Sequence, residues 1–114
     1  MDLKKIKLSS ALLTSIASIP LLAWSLNATS AEYEVGQKDK QFTVLAMTIK
    51  QGDTVNFVNQ DPFFHNVFSL SDASFFDLGS YPEGEFKTVV FDEKGQIEVE
   101  CAIHPSMLMT IIVE

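Results

Sequence analysis

From Glu32 onward the apolar residues of this chain recur at every second position in short runs, and no stretch sustains the period of an amphipathic helix. Runs rich in β-branched and aromatic residues fall at 33–35, 42–50, 54–59, 65–70, 86–91, 96–101 and 108–113. Between them lie turn-forming clusters: Lys50-Gln51-Gly52-Asp53, Asn59-Gln60-Asp61-Pro62, Tyr81-Pro82-Glu83-Gly84 and Asp92-Glu93-Lys94-Gly95. About seven short strands at this spacing predict an all-β fold, an antiparallel Greek-key β-sandwich. Residues 71–84 read as the longest irregular stretch, with room for a short helical turn and with Phe75, Phe76 and Leu78 covering the core.

The phase of the alternation assigns faces. Ile97, Val99 and Cys101 share one side of their strand and Gln96, Glu98 and Glu100 the other, so the thiol ends a buried row. Met107, Met109, Ile111 and Val113 are likewise in phase, which puts Met107 on a core face. Met47 and Met109 fit core packing by the same test.

The first 31 residues have a different pattern. Lys4, Lys5 and Lys7 precede an apolar stretch over 8–26, and the small residues Ala28, Thr29, Ser30 and Ala31 follow. This is the layout of a secretory signal peptide, read here as residues 1–31, with cleavage after Ala31 favoured over cleavage after Ser30. An uncleaved anchor is the alternative, because the apolar stretch is close to the minimum that spans a bilayer; its Ser and Thr residues and Pro20 argue for cleavage. A single domain, 32–114, remains, and the only tryptophan, Trp24, leaves with the leader.

Charge then changes the picture. The whole chain has net charge −7, whereas residues 32–114 carry 14 acidic and five basic residues, none of them arginine, for a net −9. Such a surface disfavours nucleic acid and anionic lipid; it either steers encounters with a basic partner at low ionic strength or simply keeps the domain soluble. Without the leader no stable membrane insertion is expected.

One cysteine cannot form an intramolecular disulfide. In an exported chain it is a reactive liability, an intermolecular bridge or a metal ligand. Its neighbours favour the last. Cys101-Ala102-Ile103-His104-Pro105-Ser106-Met107 places a thiol, an imidazole and a thioether within seven residues of a strand-to-strand connection. This soft set suits copper better than a hard cation, and better than zinc, which seldom takes thioether. Zinc or a reactive thiol remains open from this stretch alone. His65, the only other histidine, is the sole further imidazole. A Cys101–His104 nucleophile and base would need an orienting third group and an oxyanion feature, and the sequence offers neither, so an enzyme is not expected.

The segment from Met47 through Lys50-Gln51-Gly52-Asp53-Thr54-Val55 to Phe63-Phe64-His65-Asn66-Val67 resembles the strand, turn and first-histidine region of the plastocyanin-like small blue copper proteins, the cupredoxins. Residues 95–113, with Cys101, His104 and Met107 spaced by two residues each, resemble their C-terminal ligand loop in its short, amicyanin-like form. Phe76-Asp77-Leu78-Gly79 and Ile103-His104-Pro105-Ser106-Met107 are similar to plastocyanin-like proteins described as methylamine-utilisation proteins. Ile103 and Ser106 stand where amicyanin has proline and phenylalanine.

The resemblance implies a cupredoxin-like sandwich holding one type 1 copper ion. His65, Cys101 and His104 would be its trigonal ligands and Met107 the weak axial one, with the Asn66 backbone amide near the Cys101 sulfur. It further implies a periplasmic or otherwise exported one-electron carrier between redox protein partners. Phe63, Phe64, His104 and Pro105 would form the apolar docking patch. Copper storage or delivery with the same ligands is the alternative, and a metal-free interaction domain is a third reading.

Overall fold

The computed structural model describes residues 29–114; Trp24 and the expected leader up to residue 28 lie outside that range. Nine strands are present among the described residues: β1 (Glu32–Lys38), β2 (Gln41–Phe42), β3 (Ala46–Ile49), β4 (Thr54–Asn59), β5 (His65–Ser71), β6 (Ser74–Tyr81), β7 (Phe86–Val90), β8 (Gly95–Glu100) and β9 (Leu108–Val113). They form two sheets, ordered β2-β1-β4-β7 and β3-β9-β8-β5-β6. Among the described residues no helix is long and apolar enough to cross a membrane.

The all-β sandwich is the expected architecture, with two refinements. The sheets are mixed, because β1 runs parallel to β4 and β3 parallel to β9. Each parallel pair joins strands with intervening chain that visits the other sheet, and side-chain alternation is the same for either pairing direction. The run at 42–50 is also divided: β2 pairs with β1 in one sheet, and after three residues β3 pairs with β9 in the other.

Residues 71–84 depart from expectation. They contain β6, which pairs antiparallel with β5 after a two-residue turn at Asp72-Ala73. Its alternation is muted because β6 is an edge strand whose inward residues, Phe76 and Leu78, are only partly buried, while Phe75 is 75% exposed. Between Asn66 and Phe68 of β5 the partner positions on β6 run from Ser80 to Asp77, so β6 carries one extra residue. Gly79, at φ +73°, occupies that bulge, and its N–H donates to the Asp77 carboxylate at 2.9 Å. The bulge lies beside the start of β5, next to the His65–Tyr81 pair.

Inward residues of both sheets make one core: Val35, Ile49, Val55, Phe57, Val67, Phe91, Ile97, Val99, Ile111 and Val113 are essentially fully buried. An aromatic row crosses it, with ring centroids 6.3 Å apart for Phe42–Phe57, 6.5 Å for Phe57–Phe76 and 6.1 Å for Phe76–Phe91. Met109 is buried and Met47 packs against this core, as their phases require.

Candidate metal centre

Two segments far apart in the chain, one near its middle and one near its C-terminus, meet at one end of the sandwich, and each is shaped by side chains that bind backbone. The first begins at Asn59, the last residue of β4. Its buried amide donates to the carbonyls of Phe63 (2.8 Å) and Tyr81 (2.9 Å), and its Oδ1 accepts the Asp61 N–H (2.8 Å). All the polar capacity of this side chain facing the loop is used to curl residues 60–64 back toward β5. His65 is the first residue of β5 and is fully buried.

The second segment leaves β8 at Cys101, runs exposed through Ala102 and Ile103, and returns to the core at Met107. The Met107 N–H donates to the His104 carbonyl at 2.9 Å, closing a tight turn around Pro105-Ser106. The segments are tied together by Asn66, whose Oδ1 accepts the Ala102 N–H at 2.8 Å. Asn66 therefore reaches the second loop through its side chain. Both imidazoles lie within 4.0 Å of the Cys101 sulfur.

The result is a cluster assembled from residues up to 39 positions apart in the chain. Cys101 Sγ lies 3.8 Å from His65 Nδ1 and 4.0 Å from His104 Nδ1, and the two Nδ1 atoms are 3.1 Å apart. Among the described residues it is the one group of three His, Cys, Asp or Glu side chains close enough to hold a metal ion. Cys101 is buried and unpaired, and Met107, 1% exposed, lies on the core side of the same loop.

These distances suit a single ion. First-row ions bind imidazole nitrogen at about 2.0–2.1 Å and thiolate at about 2.3 Å. A triangle with the three observed sides has a circumscribed radius of about 2.1 Å, so one ion near its centre meets all three atoms at bonding distance. The donor set, one sulfur and two nitrogens with a buried thioether adjacent, favours copper.

Aromatic and charged neighbours complete the surroundings. The Phe63 ring lies 5.3 Å from the His65 ring and 5.4 Å from that of His104, and Lys40 Nζ is 5.6 Å above Phe63. Partial burial, aided by His65 and Lys40 and opposed by Asp61, pushes His104 below the ordinary imidazole value, the direction that favours the neutral ring. Phe64 is 54% exposed, and Ile103 and Pro105, both exposed, flank half-buried His104 in the chain.

Sequence reasoning assigned Asn59 and Asp61 only to a turn. Asp61 is buried, and its Oδ2 lies 2.7 Å from His65 Nε2, while Asp39 and Lys40 donate their N–H groups to the same carboxylate. An acidic residue four positions before a candidate ligand was the available signal, but in a loop that spacing carries no directional meaning.

Comparison with known proteins agrees with this geometry. Residues 29–114 match the model of a family described as copper binding proteins, plastocyanin/azurin family. No curated protein sequence matches the chain. Among solved structures, a methionine-to-alanine variant of amicyanin in its Cu(I) form is similar over 71% of this chain and 80% of its own, at 21% identity and TM-score 0.66. A purple cupredoxin from Nitrosopumilus maritimus matches over 71% of this chain and 98% of its own, at 22% identity and TM-score 0.63. A Cu-containing nitrite reductase from Thermus scotoductus SA-01 matches 84% of this chain but only 25% of that longer one, at 24% identity and TM-score 0.67.

Proposed function

The chain belongs to the plastocyanin/azurin family of copper binding proteins, and from that premise we propose that it is an exported one-electron carrier with a type 1 copper site. The observation that carries this reading is the 3.1, 3.8 and 4.0 Å triangle of His65, His104 and Cys101. His65 Nδ1, Cys101 Sγ and His104 Nδ1 would hold the ion, with the Met107 thioether as a further, weaker donor. Copper, when bound, supplies a one-electron Cu(II)/Cu(I) couple.

The remaining roles belong to the protein. Buried His65 and Cys101 exclude water from one side of the site, and Phe63 packs against both imidazoles. His104 is the ligand nearest solvent, and the exposed apolar residues Phe63, Phe64, Ile103 and Pro105 around it form the docking surface for a redox protein. The acidic remainder of the domain steers a partner with a basic rim. A leader at 1–31 directs the chain to the periplasm or an equivalent exported compartment.

The similarity to a domain of a nitrite reductase raises an enzymatic alternative, but that enzyme is four times longer than the region matched.

The test is to add Cu(II) to the purified domain and record its visible and electron paramagnetic resonance spectra. An intense thiolate-to-copper band with narrow hyperfine splitting, abolished in Cys101→Ala, is expected; a colourless product refutes the reading. Stopped-flow mixing with a redox partner separates carrier from delivery protein: electron exchange slower than metal loss favours delivery.

A further inference from the structure

Every donor facing the Asp61 carboxylate is a hydrogen-bond donor of fixed direction. Oδ1 accepts the Asp39 N–H at 2.7 Å, and Oδ2 accepts the Lys40 N–H at 3.0 Å and lies 2.7 Å from His65 Nε2. Asp39 and Lys40 form the β1–β2 turn with φ of 55° and 60°, a left-handed conformation that residues with side chains adopt only when surrounding bonds hold them. Both oxygens of this carboxylate already accept a backbone N–H, the arrangement that holds an aspartate side chain as its anion. An ionised carboxylate only accepts. The proton on the His65 ring must therefore sit on Nε2, leaving the Nδ1 lone pair aimed at Cys101 and His104.

Resting on the copper reading above, we propose that Asp61 is a positioning residue for the metal centre: it locks the His65 tautomer and orientation and, as a buried anion behind the ring, strengthens Nδ1 as a donor to Cu(II) more than to Cu(I). The same carboxylate fixes the β1–β2 turn, so the turn, Lys40 above Phe63 and the ligand histidine are held by one group. A carboxylate behind a ligating imidazole raises its basicity. A negative charge also favours the dication over the monocation, so both effects lower the reduction potential.

Asp61→Asn removes the charge with little change of shape. To keep the turn independent of Asp61, the substitution is made both in the native chain and in an Asp39→Asn/Lys40→Gly background, whose Asn-Gly turn needs no external carboxylate. Cu(II) affinity should fall about 10–100-fold. Each tenfold loss not shared by Cu(I) raises the potential by about 59 mV. Nitrogen-15 NMR of the metal-free native domain should show His65 protonated on Nε2. An unchanged potential in folded Asp61→Asn variants of both backgrounds overturns the electronic half of the proposal, and an Nδ1-protonated His65 in the native domain overturns the positioning half. A native domain that binds no copper sinks the underlying reading and the electronic half with it, while the tautomer measurement still decides the positioning half.

Discussion

Asn59→Ala is the substitution most damaging to the fold and the site together. The side chain makes three hydrogen bonds, to the Phe63 and Tyr81 carbonyls and from the Asp61 N–H, at 2.8–2.9 Å. Two of these contacts are buried and one part-buried. Truncation strands backbone groups that have no alternative side chain, and each stranded buried group costs about 1–3 kcal/mol, with less where water enters the cavity. The sum is about 3–5 kcal/mol. A domain of 83 residues has total stability of roughly 4–12 kcal/mol. The metal-free variant should therefore lie close to its unfolding threshold at 25 °C. Copper binds the folded form, so excess metal should restore about 4 kcal/mol at a thousand times the dissociation constant. The assay is urea denaturation of native and variant domains, each with and without Cu(II), followed by far-UV circular dichroism. A metal-free variant within 1 kcal/mol of the native domain would refute the claim that Asn59 holds the loop.

Other contacts make smaller predictions. Tyr81→Phe removes the buried hydroxyl that donates to the Phe57 carbonyl at 2.9 Å and should cost about 1 kcal/mol in the same denaturation assay. Gln37 is fully buried, with its Nε2 donating to the Asn66 carbonyl at 3.5 Å and its Oε1 unpaired, so Gln37→Met removes one long bond together with one unpaired acceptor and should change stability by less than about 1 kcal/mol; a larger loss would show that Oε1 has a partner. The Ala31 and Lys50 N–H groups hold Asp53 below the ordinary carboxylate value of 3.8, against the effect of burial. The unfolded chain then takes up a proton first as pH falls, so this stabilisation is complete above pH 3.8 and lost as pH drops below it through the folded value. The stability gap between the native domain and Asp53→Asn should close over that acidic range in thermal melts. A chain beginning at Ala31 keeps the Asp53 contact and the Thr54 N–H bond to the Ala31 carbonyl, so it should melt higher than one beginning at Glu32.

The elements legible in the sequence are those whose information is local. Alternation placed Cys101 and Met107 on buried faces because β8 and β9 form a two-sided ladder in which phase and burial coincide. The cluster of Cys101, His104 and Met107 was readable for the same reason, being confined to one loop. β6 was missed because an edge strand with exposed Phe75, Gly79 and two serines lacks the apolar contrast that marks a strand. The parallel pairings were illegible because direction is set by crossovers between sheets, which alternation does not encode.

The roles of Asp61 and Asn59, and the partner that the Asn66 side chain takes, were illegible for a different reason: each acts on backbone or on a ligand's far side, and such roles follow from where a loop turns. Together they attach the two ligand segments to β1–β2, β6 and each other through side-chain bonds of 2.7–3.0 Å. Residues 60–66 are therefore held from several elements, while the Cys101-to-Met107 loop is tied by Asn66 and by its own Met107–His104 turn. A site braced in this way changes little when the metal changes charge, which favours rapid electron exchange. A delivery protein needs a ligand segment that opens to release its cargo, and His65, fixed through Asp61 and Asn59, is poorly suited to that. Any opening would have to occur at 102–106, where the chain is most exposed. Hydrogen exchange on the metal-free domain therefore bears on function directly: protection of the 59–66 amides comparable with β8 supports a carrier, and fast exchange there supports delivery.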